Sequence, residues 1–181
     1  MPRYPLIHRL LHWAVAIIAP IVLTVGMIFM FLEFEGTLAA FGKATTDLLY
    51  TYHKSFGIVV LILMTIRLVV RLAFGKPAYR PPIAGWERAV STAVHASLYA
   101  LLIAQPMLGW AATAAGGFPV QFFAWNLPGL LAKDEALSRT LYGVHGLFGW
   151  LILILVALHV AGALRHWLVK RDGVMTRMAL P

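Results

Sequence analysis

Hydrophobic positions gather into four long runs, from about Ile7 to Phe31, Leu48 to Phe74, Trp86 to Ala115 and Leu141 to Leu168. A helix needs about 20 apolar residues to cross the hydrocarbon core of a bilayer, and each run is long enough. Lipid offers no partner to an unpaired backbone N–H or C=O, so each run is expected to be helical. The pattern predicts an all-α membrane protein, a four-transmembrane-helix bundle with residues 1–181 as a single domain.

Polar or breaker-rich segments separate the runs: Glu33 to Asp47, Gly75 to Gly85 with Pro77, Pro81 and Pro82, and Gly116 to Ser138. Pro20 and Pro106 fall inside runs and should bend their helices, with neighbouring helices re-satisfying the freed carbonyls. The first run is longer than a signal-peptide core and no small-residue cleavage site follows it closely, so it is expected to be a retained span.

Composition agrees with a lipid solvent. The chain is 61% hydrophobic and 12% charged, where a soluble domain carries about 25% charged residues. The absence of cysteine excludes disulfides, iron–sulfur clusters, thiolate zinc sites and covalent C-x-x-C-H haem attachment. A net charge of +8 could suggest nucleic acid, but no nucleic-acid motif accompanies it. The charges instead follow topology. Of the fifteen lysines and arginines, eleven flank one side: Arg3, Arg9, Arg67, Arg71, Lys76, Arg80, Arg88, Arg165, Lys170, Arg171 and Arg177. Only Lys43, Lys54, Lys133 and Arg139 flank the other, beside Glu33, Glu35, Asp47, Asp134 and Glu135. By the positive-inside rule both termini are expected in the cytoplasm.

Seven histidines carry the chemistry, because ionisable groups within a membrane are costly and ask for a function. His145 and His159 lie fourteen residues apart on the fourth run, which is roughly 21 Å of helix and nearly the same face. Two ligands at opposite depths suit two stacked haems. Matching by depth pairs His53 with His145 toward the outer side and His12 with His159 toward the cytoplasm. Two imidazoles per iron fill both axial positions, so such a haem passes electrons and leaves no position for oxygen or substrate. His8, His95 and His166 are expected in structural or interfacial roles; the third run offers no second histidine at matching depth.

Several other residues are candidates for the cofactors. Gly57 follows His53 by one turn, Gly146 and Gly149 follow His145, and Gly162 follows His159. They would admit a flat macrocycle or, equally, tight helix packing. Arg67 and Arg71 could meet the propionates of the inner haem or snorkel to lipid headgroups. Lys54 beside His53 and Arg139 before His145 could steer a small anion, or Lys54 could pair with a propionate.

With these residues the chain resembles the bacterial cytochrome b-561 family of small di-haem membrane cytochromes. The matching pieces are His12-Trp13, His53-x-x-x-Gly57, Arg67-x-x-x-Arg71, His95-x-x-x-Tyr99, Pro106-x-x-Gly109, the aromatic loop Phe122-Phe123-Ala-Trp125, and His145 with His159. The resemblance covers nearly the whole chain. It implies a bundle in the bacterial inner membrane with two non-covalent b-type haems, acting with a quinone pool such as ubiquinone. One branch of the family looks like superoxide oxidases, which pass the electron of superoxide to ubiquinone. Other relatives are anchor and relay subunits for hydrogenases or dehydrogenases.

The expected function is electron transfer between quinone and a small one-electron donor, with superoxide as the leading donor. A relay subunit with a redox partner protein, docking through the loop of Phe118, Phe122, Phe123 and Trp125, is the alternative. A histidine-based metal-ion transporter is a remote third reading, since every acidic residue falls outside the apolar runs. The quinone site stays open between the inner end near His166 and the outer loop.

Overall fold

A computed structural model describes residues 1–80 and 82–180; Pro81, one of the three prolines expected to break the second connection, lies outside them. Three helices are long and apolar enough to cross a membrane: Leu6–Phe74, Gly85–Ala115 and Glu135–Lys170. The first, α1 (Leu6–Phe74), is one helical run of 69 residues with non-helical backbone at Glu33 (φ 54°) and Gly42 (φ 73°). At these two points the chain turns back on itself. Tyr4 accepts from Arg71, His53 lies at the Val22 carbonyl, and the rings of Phe29 and Tyr50 stack 3.9 Å apart. An N-terminal arm before Glu33 and a C-terminal arm after Gly42 therefore run antiparallel.

The Glu33 to Asp47 connection is thus mostly helical, unlike the simple polar link expected. Two buried threonines hold it: Thr37 donates to the Glu33 carbonyl at 2.5 Å, and Thr46 to the Thr37 carbonyl at 3.2 Å. Glycine takes the positive φ at position 42 without penalty, whereas Glu33 holds it at a cost of order 1–3 kcal/mol.

Helix α2 (Gly85–Ala115) and helix α3 (Glu135–Leu164) pack extensively on each other. Between them stands a small hairpin, β1 (Val120–Phe122) with β2 (Trp125–Leu127), antiparallel in the register Val120↔Leu127, Gln121↔Asn126 and Phe122↔Trp125. Buried Ser55 on the C-terminal arm pins it, accepting from the Phe123 N–H at 2.7 Å. Asp134 caps α3 by accepting from the N–H groups of Ala136 and Leu137, a cap worth about 1 kcal/mol. After Leu164 the helix widens into a π-helical turn, Arg165–Lys170, and the tail ends with a 3-10 turn at Met175–Arg177.

Apolar side chains such as Leu72 (77% exposed) and Val69 (61%) cover the outside, the arrangement that hydrocarbon solvent favours. The basic segments gather at one end. Buried Arg177 donates to the Pro77 carbonyl and lies 4.0 Å over the Tyr79 ring, while its own carbonyl accepts from the Tyr4 N–H at 3.1 Å. Arg9 and Trp13 donate to the Ala179 and Met178 carbonyls at 2.7 and 2.8 Å. At the same end, buried Glu87 holds Arg165 and Lys170 at 2.5 and 2.6 Å.

Candidate functional site

Four of the seven histidines meet as two ring pairs on three different segments. His53 of the C-terminal arm faces His145 of α3 with ring centroids 6.3 Å apart and planes at 77°. His12 of the N-terminal arm faces His159 of α3 at 6.2 Å and 57°. A metal lies about 2.0–2.1 Å from an imidazole nitrogen, and the ring centre about 1.1 Å behind it, so a bis-imidazole metal site has centroids roughly 6.3 Å apart. Both pairs have that spacing, one toward each end of the bundle.

The outer pair is also oriented for a ligand. His53 Nδ1 lies 3.1 Å from the Val22 carbonyl, and His145 Nδ1 lies 3.0 Å from the Gln105 carbonyl. A carbonyl only accepts, so each Nδ1 carries the proton and each Nε2 keeps its lone pair, the arrangement that metal-ligating histidines use. One turn beyond each carbonyl stands a glycine. A Cβ at Gly26 would lie 2.9 Å from His53 Cε1, and a Cβ at Gly109 would lie 2.9 Å from His145 Cε1. Helix neighbours therefore hold each ring from the side, by one hydrogen bond and one missing methyl. Gln105 also donates to the His145 carbonyl at 2.9 Å, closing the link in both directions.

The inner end holds more histidine than expected. His95 sits against His159 at 5.0 Å, so the expectation that the third run has no histidine at matching depth is corrected. It lies ten residues after the start of α2, while His159 lies eleven before Lys170 at the same end, and this equal count puts them level. His95 Nδ1 lies 2.5 Å from the Ser91 carbonyl. His12 Nδ1 and both nitrogens of His8 are buried with no partner among the described residues. Orphaned buried polar atoms on this scale call for a group that the protein atoms alone do not supply.

Arg67 and Arg71 turn into the bundle: Arg67 donates to the Tyr99 hydroxyl at 2.9 Å and Arg71 to the Tyr4 hydroxyl at 3.0 Å. Neither has a carboxylate partner among the described residues. Gly57 and Gly162 face open space, with nothing within 4 Å of an added Cβ, so they are not helix-packing glycines. Gly146 meets Met30 at 3.3 Å and Gly149 meets Gln105 at 3.7 Å, so those two do pack on neighbours. Lys54 donates to the Pro119 carbonyl at 3.1 Å, while Arg139 is exposed on α3. Sequence reasoning overlooked Val22, Gly26 and Gln105; the only sign was a proline near each carbonyl, Pro20 and Pro106.

The ring spacing, the fixed tautomers and the open glycines together fit a flat, bis-imidazole-ligated macrocycle at each end. A model of the prokaryotic cytochrome b561 family matches residues 3–180. Cytochrome b561 homolog 1 of Escherichia coli (strain K12) is 26% identical over 178 residues, covering 98% of this chain and 97% of its own. Cytochrome b561 homolog 2 of the same organism is 28% identical, with 97% and 90% covered. A probable superoxide oxidase CybB of Yersinia pestis is 29% identical over 126 residues, 70% of this chain and 72% of its own.

Proposed function

The chain belongs to the prokaryotic cytochrome b561 family, and on that premise we propose that it is a four-span, di-haem cytochrome b exchanging electrons between membrane quinone and superoxide. Membrane electron transfer through b-type haem comes with the family. The observation that carries the finer reading is the repetition of one ligand geometry, 6.3 and 6.2 Å between ring centroids, toward both ends of the bundle. His53 with His145 would hold the outer haem, and His12 with His159 the inner one.

Each haem supplies reversible one-electron chemistry when bound. The chain's own residues keep that chemistry outer-sphere. Paired imidazoles close both axial positions, and the carbonyls of Val22 and Gln105 hold the outer rings still through a change of charge. Gly57 and Gly162 give the ring faces room. Arg67 and Arg71 bring unpaired positive charge to the inner end, where propionates can take it up. Superoxide as donor is supported by the name of the Yersinia pestis relative and by Lys54 next to His53. Two superoxide anions, one quinone and two protons give two dioxygen molecules and one quinol.

Pyridine haemochrome analysis of purified protein should give two haems per chain; one or none would sink the reading. His53→Ala or His145→Ala should remove one haem, and His12→Ala or His159→Ala the other. Stopped-flow mixing with superoxide and quinone tests the donor. A fully haem-loaded chain inert to superoxide would favour the relay-subunit reading, for which the exposed Phe118 and Trp125 beside the hairpin offer a docking face.

A further inference from the structure

Beyond the inner iron pair, the end of α3 carries a polar site that the paired imidazoles do not use. His166 follows His159 by seven residues, about 10 Å along the axis. It lies in the π-helical turn Arg165–Lys170, a local widening that recurs at functional sites. Arg171 then takes a left-handed conformation (φ 50°), and the chain folds back so that Asp172 Oδ2 lies 2.6 Å from His166 Nδ1. Asp172 Oδ1 accepts from the Val174 N–H at 3.1 Å. The dyad is largely shielded, with side chains 14% and 18% exposed.

The carboxylate on Nδ1 leaves Nε2 for another partner, and among the described residues it has none. Next to it opens a groove of about 420 Å³, lined by His166, Trp167, Leu168, Arg171, Met175 and Thr176. Its rim is lipid-facing, since Trp167 is 58% and Val169 76% exposed. One wall therefore suits a flat apolar ring with a hydrocarbon tail, while the far end offers a directed N–H. A water-soluble ligand has no use for the first feature, and a lipid chain has no use for the second.

We propose that this groove binds the headgroup of a membrane quinone, with His166 Nε2 donating a hydrogen bond and a proton to one quinone oxygen and Asp172 positioning the imidazole. The assignment rests on quinone being a partner of the chain, as in the proposed function. Conversion of quinone to quinol takes up two electrons and two protons. The electrons come singly from the haem-bearing chain as reductant; one proton passes from His166 Nε2, which is refilled from water, and the other comes from water at the groove mouth. The charged groups facing the dyad are Lys170 and Arg171. Burial by itself would raise the Asp172 carboxyl, but its hydrogen bonds to His166 and the Val174 N–H, with Lys170 nearby, hold it below the usual carboxylate range. Asp172 is therefore a charged acceptor for Nδ1 at neutral pH.

The test uses the full, haem-loaded chain in lipid nanodiscs with a photoreactive azido-ubiquinone as probe. Label should fall within residues 166–176 and be competed away by decylubiquinone. His166→Gln and Asp172→Asn should each raise the KM for decylubiquinone by roughly tenfold, the value of one hydrogen bond to a charged group. Asp172→Asn should also shift the pH profile of quinone reduction, and Asp172→Glu should restore it, while reoxidation by ferricyanide stays at the wild-type rate. Label elsewhere, with KM unchanged in both variants, overturns the site while leaving the quinone partner intact. A wild-type chain that takes no label and is not reoxidised by quinone overturns the quinone reading and the site with it.

Discussion

Arg67 and Arg71 show how one side chain decides between two readings that the sequence left open. Snorkelling would send both guanidinium groups outward to headgroups, yet both bend inward onto tyrosine hydroxyls and lie over the rings at 5.6 and 5.8 Å. A positive charge near the iron disfavours the oxidised, more positive centre. Arg67→Gln or Arg71→Gln should therefore lower the inner haem's potential and change the outer one less. An interaction of about 1.4 kcal/mol is a factor of ten, or about 59 mV for one electron. Screening reduces that, so tens of millivolts are expected in a redox titration, and an unmoved inner potential in both variants would leave the arginines as topology signals only. At this scale the four paired histidines were legible, because fourteen-residue spacing on one helix and depth on the others can be counted along a chain. The inward turn of the arginines was not, because it depends on Tyr4 and Tyr99, distant in sequence.

Among the elements, the two bent helices do something their ligands cannot do alone. Pro20 and Pro106 each lie near a carbonyl that holds an imidazole, and a glycine follows one turn beyond that carbonyl. Gly26→Ala and Gly109→Ala put a methyl 2.9 Å from a ring carbon, closer than real contacts allow. The ring is pinned by its hydrogen bond, so it must give up either that bond or its aim at the metal. Each variant should lose or perturb the outer haem, read by haem content and low-spin absorption, with the inner haem intact; unchanged spectra in both would show that the rings have slack. The apolar runs foretold the helical stretches, since membrane helices are written in uninterrupted hydrophobicity. The β1–β2 hairpin escaped notice because its three-residue strands carry no period long enough to read, and it is held by Ser55 from another element. The glycine contacts escaped for the same reason: each acts across a helix pair.

Over the whole molecule, three basic segments meet at one end, tied by Arg177 to Pro77, Tyr79 and Tyr4. That convergence was implicit in the charge count, which sorts loops by side without saying that they touch. If this end is cytoplasmic, reporter fusions after Ala179 and in the loop near Lys133 should give opposite signals. A reporter after Ala179 that is active outside the cell would invert the orientation. The fourteen residues between His145 and His159 then acquire an electrical meaning. They span roughly 21 Å of a hydrocarbon core about 30 Å thick, so an electron passing between the two ends crosses about two thirds of the membrane's voltage drop. A full crossing is worth about 2.3 kcal/mol per 100 mV, and this partial one about 1.6. Inward electron flow in a cell that is negative inside runs uphill by that amount, so an energised membrane would hold electrons back toward the outer end and a depolarised one would release them.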